Sequence, residues 1–228
     1  MTIRYALFLL TTLALTGFLG YGTFATARLL RTWKPEQNLL LLPQENALRV
    51  VLTLACIGLG LLSGVDWTTL GWRWDNWQTD APLGLGIGLA LAFGFYAATW
   101  LLLYWGGGRF YSPSILEILL PTNRREFWLV LLAFIPAVLL EEILFRSLLI
   151  GGLSPLISPI FLVIGVGIVF GLLHSPQGLW GMTGAGLAGV IFSLLFLATG
   201  SLVAPLVAHY VANSVQIGLA RGKSTQIP

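Results

Sequence analysis

The sequence predicts an all-α polytopic membrane protein, a bundle of about seven to eight transmembrane helices with an intramembrane polar cavity. Hydrophobic residues make up 57% of its 228 residues and charged residues only 9%, whereas soluble domains carry about 25% charged residues. The mean hydropathy is +0.87, and the apolar residues form runs long enough to cross a bilayer as helices. We therefore expect one transmembrane domain over residues 1–228.

Seven apolar runs have a length of about 20 residues, which suits a transmembrane helix. An eighth helix follows if one of them is broken. Most runs end at proline or glycine, as at Pro35, Pro43, Pro176, Gly200 and the run 106–108. The predicted spans are 5–27, 47–65, 82–105, 127–151, 154–174, 179–198 and 200–219.

The first run begins like a secretory signal peptide, with Arg4 ahead of an apolar stretch. It is followed by Arg28 and Arg31, and the small residues at 24–27 make a weak cleavage site. We therefore expect an uncleaved first helix.

The positive charges predict the orientation in the membrane. With the N-terminus outside, Arg4 and Arg73 lie on the outer side and nine basic residues lie in the cytoplasm, which agrees with the positive-inside rule. The net charge of +3 and the lack of a basic run disfavour nucleic acid as a partner. The nine cytoplasmic residues are Arg28, Arg31, Lys34, Arg49, Arg109, Arg124, Arg125, Arg221 and Lys223.

Two further features are interpreted as structural. Cys56 is the only cysteine, so an intrachain disulfide is impossible and a buried thiol is expected. Four tryptophans between Trp67 and Trp77 are typical of an interfacial belt. A ligand-binding aromatic cage is the less favoured alternative for them.

Three charged residues lie inside the apolar run 127–150: Glu141, Glu142 and Arg146. Each costs about 3 kcal/mol at a helix centre in the membrane, so they must face one another, other polar groups or a water-filled cavity. Glu142 and Arg146 are four residues apart, the spacing of an ion pair within a helix. We interpret that pair as support for neighbouring helices. Glu141 points about 100° away and has no such partner, which suits a general base.

The only two histidines, His174 and His209, each share a helical face with a residue four positions away. Phe170 precedes His174 at that spacing, and its ring can pack on the imidazole and fix its rotamer. Asn213 follows His209, so an imidazole and a carboxamide point in the same direction. Two membrane-embedded histidines in such pairs, together with an unpaired glutamate, indicate one shared site.

A zinc site is the main competing interpretation of these polar residues. The sequence has no H-E-x-x-H motif, no usable cysteine, and its two histidines lie on different helices. Glu141, His174 and His209 nevertheless leave a three-ligand site open.

Taken together, the three motifs resemble the CPBP family of intramembrane glutamic endopeptidases, which includes the type II CAAX prenyl endopeptidase and bacteriocin-processing and immunity proteins. The family pattern is E-E-x-x-x-R, F-x-x-x-H and H-x-x-x-[ND]. Here the pattern falls on Glu141, Glu142 and Arg146, then Phe170 and His174, then His209 and Asn213. The resemblance covers residues 121–218 as a catalytic core, and it implies the plasma membrane of a bacterial cell.

The resemblance implies the following site roles. Glu141 activates a water with help from His174, and His209 and Asn213 form the oxyanion hole. Glu142, Arg146 and Phe170 support the site, and no metal or other cofactor is needed. The implied activity is metal-independent cleavage of a peptide or membrane-protein substrate near the cytoplasmic face. The resemblance leaves the oligomeric state open.

Two other functions compete with proteolysis. A non-proteolytic scaffold or immunity protein of the same family could use these groups to stabilise helix packing. A transporter could use Glu141 and His174 as a proton relay. The complete set of Glu141, His174, His209 and Asn213 favours the protease over the scaffold. A relay would need acidic or basic side chains across the whole membrane, and the first three spans have none deep within them.

One expectation concerns depth in the membrane. If the fourth span starts at the cytoplasmic face, Glu141 lies about 22 Å deep, whereas His174 ends the fifth span near the cytoplasm. Pro136 can kink or start a helix. We therefore expect the helix proper to begin there, which places Glu141 about 8 Å in and beside His174.

Overall fold

The computed structural model describes residues 2–33, 35, 37–106 and 118–224, and over these ranges it is helical without a strand. Lys34, Gly107, Gly108 and Arg109, which entered the sequence predictions, lie outside the described residues. Within these described ranges, seven long helices follow one another: α1 (Ile3–Leu29), α2 (Pro43–Ser63), α3 (Trp77–Gly106), α4 (Arg124–Glu142), α5 (Pro159–Leu173), α6 (Gly178–Thr199) and α7 (Val203–Ser224).

Shorter helical pieces complete the described fold. A π-helix, Ile143–Gly151, continues α4 directly, and 3₁₀ turns occur at Leu39–Leu41 and Ser175–Gln177. Six helical segments are long and apolar enough to cross a membrane. The chain is an all-α, multi-pass integral membrane protein, as predicted.

The fifth predicted span, 154–174, begins too early. Residues 152–156 form a turn, and the helix starts only at Pro159 after the N-cap residue Ser158. Proline suits the first helical position because its missing N–H would be unpaired there. The 15 residues of α5 rise about 22 Å, less than the hydrocarbon thickness of about 30 Å. A short helix of this length ends inside the bundle.

The expectation that a helix begins at Pro136 is wrong. α4 runs without interruption from Arg124 to Glu142 with Pro136 inside it. The N-cap explains the earlier start, because the Asn123 side chain accepts a hydrogen bond from the Glu126 N–H at 2.9 Å. The site forms instead because α5 is short and its last turns reach the junction of α4 and the π-helix, where the Phe170 and Phe145 rings lie 5.1 Å apart.

The first helix and the tryptophan segment pack against the rest of the bundle. Phe8 of α1 is fully buried, and the Tyr5 hydroxyl donates to the Gly152 carbonyl at 2.8 Å. Cys56 is buried, as predicted. Trp67, Trp74 and Trp77 are exposed, as an interfacial belt requires. Trp72 is half-buried and packs against the core, where Gly60 leaves room for its ring.

Helices α3 and α7 pack closely through small residues. A Cβ added at Gly88 would lie 2.6 Å from the Ala208 carbonyl oxygen, and one at Gly84 would meet the Ala204 carbonyl. Small residues let helix backbones approach closely in membranes. This contact holds the segment of α7 that carries His209, the next residue after Ala208.

We expect Gly88→Ala to push α3 and α7 apart and to lower the free energy of unfolding by about 1–3 kcal/mol. Activity should fall with it, because His209 moves with α7. Gly86→Ala is the matched control, since nothing lies within 4 Å of a Cβ at that position on the same helix. Thermal unfolding in detergent measures both variants. Equal stability of the two would contradict this account of the contact.

The orientation deduced from the basic residues leads to a labelling prediction. With Cys56 replaced by Ser, cysteines at Gln37 and Asn123 should resist an impermeant thiol reagent added outside the cell. A cysteine at Asn76, in the exposed segment between α2 and α3, should react and serves as the positive control. Labelling of both Gln37 and Asn123 sites from outside would reverse the orientation.

Candidate active site

The predicted ion pair between Glu142 and Arg146 is present and fully buried. Arg146 Nη1 donates to Glu142 Oε1 at 2.9 Å, and both side chains are 0% exposed. The second guanidinium nitrogen, Nη2, donates to the Gly189 carbonyl of α6 at 3.1 Å. The guanidinium carbon lies 4.9 Å from the Phe170 ring centroid and 5.3 Å from that of Phe192. Arg146 therefore joins the π-helix to α5 and α6.

Glu142 also contacts His209, which the sequence analysis did not foresee. His209 Nδ1 lies 2.7 Å from Glu142 Oε1, the same oxygen that accepts from Arg146. An ionised carboxylate only accepts hydrogen bonds. Glu142 Oε1 already accepts one from the positively charged guanidinium, which disfavours protonation of that oxygen. Nδ1 of His209 is therefore the donor, which leaves Nε2 as the ring nitrogen free for chemistry.

Glu141 lies beside this network without a hydrogen bond to it. Its side chain is 33% exposed, and Oε2 is 3.7 Å from His209 Nε2. Among the described residues Oε2 is buried and has no hydrogen-bond partner. The prediction that Glu141 has no partner in its own helix is confirmed, and its nearest basic group comes from α7.

His174 ends α5 as its C-cap residue. Its Nδ1 lies 2.8 Å from the Phe170 carbonyl oxygen, and the two ring centroids are 4.7 Å apart. The predicted packing of Phe170 on this imidazole is confirmed. Since a carbonyl oxygen can only accept, Nδ1 carries the proton. In a neutral imidazole Nε2 is then an acceptor, which can hold a water molecule by one of its hydrogens.

The Phe170 ring connects all three motifs. Besides His174, it contacts His209 at 5.9 Å between ring centroids and Phe145 at 5.1 Å. A Cβ added at Gly189 would lie 3.2 Å from the Phe170 side chain, so α6 approaches this ring closely only because residue 189 is glycine. Phe170 therefore fixes the relative positions of the two imidazoles and the guanidinium.

Asn213 follows His209 by one helical turn on α7 and is half-buried. Within the part of the chain that the structure describes, its side-chain amide has no hydrogen-bond partner. A carboxamide N–H is thus available on the helix that carries His209.

The described residues contain no group of three or more His, Cys, Asp or Glu side chains arranged to hold a metal ion. Glu141, His174 and His209, which the sequence left open as three ligands, are thus not grouped as a ligand set among these residues. The Nδ1 atoms of the two histidines are hydrogen-bonded to Phe170 and to Glu142.

Comparison with known families agrees with the motifs. Residues 123–215 match the family described as "Type II CAAX prenyl endopeptidase Rce1-like". This segment is Rce1-like. No curated protein matches the chain, and no solved structure matches it. The resemblance noted in the sequence is confirmed over this range, and the family is one of proteases.

The Rce1-like segment contains every predicted site residue, from Glu141 to Asn213. It also contains Gly189 and Phe192, which the sequence analysis missed. Phe192 stacks on His209 with 4.9 Å between centroids and a 24° interplanar angle. Neither residue belongs to a spaced polar motif. The clue available in the sequence was the glycine-rich run 181–189, which permits close helix packing.

Proposed function

We propose that the protein is an intramembrane, metal-independent glutamic endopeptidase that hydrolyses a peptide bond near the cytoplasmic membrane face. One observation carries the proposal: a buried Glu141 oxygen without a hydrogen bond, 3.7 Å from the free ring nitrogen of His209. Its place in an Rce1-like segment supports proteolysis at the level of the family.

In the proposed reaction, Glu141 and His174 Nε2 hold a water molecule, and Glu141 removes its proton as the oxygen attacks the peptide carbonyl carbon. The carbonyl π-bond breaks, and the negative charge on its oxygen is stabilised by His209 and Asn213 as an oxyanion hole. As the intermediate collapses, the C–N bond breaks. Glu141 then returns the proton to the departing amine.

The proposed substrates are peptides or membrane proteins cleaved within the bilayer environment, in the plasma membrane of a bacterial cell. A non-proteolytic scaffold of the same family remains the second candidate. The buried network of Glu142, Arg146 and Phe170 would serve helix packing equally well. A scaffold, however, gives no reason for the complete set of Glu141, His174, His209 and Asn213.

The experiment that tests the function is a comparison of membrane-protein termini in cells carrying the wild-type protein or the Glu141→Gln variant. Proteolysis predicts new termini that depend on Glu141, and peptides spanning them should be cut by purified protein in liposomes. Identical termini in the two strains, with no cleavage in vitro, would favour the scaffold.

Metal independence is a separate prediction. Purified protein treated with a strong chelator should retain full cleavage activity, because in the proposed reaction Glu141 and His174 activate the water without a metal. Metal analysis should find far less than one equivalent per chain. Stoichiometric zinc whose removal abolishes activity, and whose return restores it, would assign the protein to the metalloproteases.

A further inference from the structure

In the proposed reaction, His209 has to donate two hydrogen bonds, one to Glu142 and one to the oxyanion. To stabilise an oxyanion it must donate a hydrogen bond, and its Nδ1–H is already directed to Glu142 Oε1 at 2.7 Å. Only Nε2 faces Glu141 and the site. A neutral imidazole carries one proton, so a His209 protonated on Nδ1 alone would present an acceptor there. His209 can donate from Nε2 only as an imidazolium with both nitrogens protonated.

The charges around His209 favour that imidazolium. Glu141 and Glu142 of α4 supply two carboxylates, and Arg146 of the π-helix supplies one positive charge. A protonated His209 makes this group of four electrically neutral, and its Nδ1–H then donates a charge-assisted hydrogen bond to Glu142, which is fully buried, whereas Glu141 is one-third exposed.

The other elements packed against His209 add no compensating charge near it. α6 has no charged residue, and it contributes the stacked ring of Phe192. The one charged residue of α3 is Asp80, which lies one turn before Gly84. Gly84 packs against Ala204 of α7, five residues before His209. α5 contributes Phe170 and, beyond that ring, His174, whose Nδ1 donates to a carbonyl.

We infer that Glu142 is a positioning residue that holds His209 as an imidazolium, with Nδ1–H bound to Glu142 and Nε2–H directed at the reacting carbonyl oxygen. The Nε2–Glu141 Oε2 distance of 3.7 Å fits this arrangement. This separation is longer than a hydrogen bond, so Nε2–H is not already donated to Glu141 and is available to the reacting carbonyl oxygen. The inference gives Glu142 a part in catalysis beyond its ion pair, and it rests on the proposed function for its effect on cleavage.

The test must separate positioning from simple stabilisation, because Glu142→Leu alone leaves Arg146 as an unpaired buried charge and can fail to fold. The double variant Glu142→Leu with Arg146→Met removes both charges together and should be stable. It leaves Nδ1 of His209 without an acceptor. A second double variant, Glu142→Gln with Arg146→Met, differs from the first only at position 142, where it keeps an uncharged oxygen that can accept from Nδ1.

Nuclear magnetic resonance can read the protonation of His209 directly, since the chain has only two histidines. Wild-type protein labelled with ¹⁵N-histidine at pH 7 should show one imidazolium, assigned to His209 by its loss in His209→Gln. It should show one neutral ring protonated on Nδ1, assigned to His174. In the Leu/Met double variant the His209 signal should become that of a neutral ring.

Cleavage assays on the same proteins should show kcat lowered by up to about 10²-fold in the Leu/Met variant, because a neutral His209 no longer supplies a charge-assisted donor to the oxyanion, with KM close to wild type. The Gln/Met variant should lose at least as much activity, because it also lacks the carboxylate that holds the imidazolium, and a neutral ring that donates from Nδ1 has no proton on Nε2. A neutral His209 in wild-type protein, or wild-type kcat in a stable Leu/Met variant, would overturn the inference. If wild-type protein cleaves nothing, the proposed function fails instead, and the resonance spectrum still decides the state of His209.

Discussion

Replacing Glu141 by Gln is expected to abolish peptide cleavage while leaving the protein folded. The side chain is one-third exposed, and its Oε2 makes no hydrogen bond among the described residues, so little native interaction is lost. A carboxamide cannot take a proton from water. The loss of a general base lowers kcat by about 10²–10⁴-fold. The change in stability should be about 0.5 kcal/mol or less, as for sites without a structural partner.

Cleavage of a fluorogenic peptide by purified protein in liposomes measures the first effect, and thermal unfolding in detergent measures the second. Glu45→Gln is the matched control, because Glu45 is an exposed acid in the first turn of α2. It should cleave at the wild-type rate. Full activity of Glu141→Gln would rule out the glutamic mechanism. A loss of activity that parallels unfolding would show that Glu141 has a structural role instead.

The contacts that could be predicted from sequence are those within one helix. Glu142 with Arg146 and Phe170 with His174 are four residues apart, and helical geometry alone brings such pairs together. Both pairs are present at the expected spacing. The spans could be predicted for a similar reason, because membrane insertion depends on runs of apolar residues whose length is set by the bilayer.

Contacts between helices could not be predicted in this way. Glu142 and His209 are 67 residues apart, and no spacing rule relates α4 to α7. The contact depends on the closeness of α3 and α7 at Gly88, on the short α5 and on the π-helix after Glu142. The sequence analysis assigned Glu142 to Arg146 alone because that partner is local. The structure adds His209, which brings both acids to one imidazole.

The wrong expectation at Pro136 has a related cause. Proline removes one intrahelical hydrogen bond. A helix that starts at Pro136 would bring Glu141 to the depth of His174, and this is why the sequence predicted a start at that residue. The π-helix and the short α5 bring the motifs together by another route, which no single residue in the sequence marks. π-helical segments occur frequently at functional sites, and this one begins at the residue after Glu142.

The buried pair of Glu142 and Arg146 leads to the largest expected effect on stability. Removal of one member strands the other charge in the interior, at a cost of about 3–5 kcal/mol. Glu142→Leu should be the worse single variant, because among the described residues Arg146 then keeps the Gly189 carbonyl alone as a hydrogen-bond partner. Arg146→Met should cost less, since Glu142 retains His209.

The double variant Glu142→Leu with Arg146→Met should recover much of the lost stability, because no charge is left without its partner. Thermal unfolding and expression level measure all three proteins. Arg73→Met is the matched control: Arg73 pairs with Asp75 at 3.4 Å on the surface, where the Asp75 side chain is 75% exposed. Such surface pairs contribute about 0–1 kcal/mol, so this variant should unfold near the wild-type temperature. If Glu142→Leu is as stable as Arg73→Met, the buried pair does not stabilise the fold, and its burial must be explained by the reaction alone.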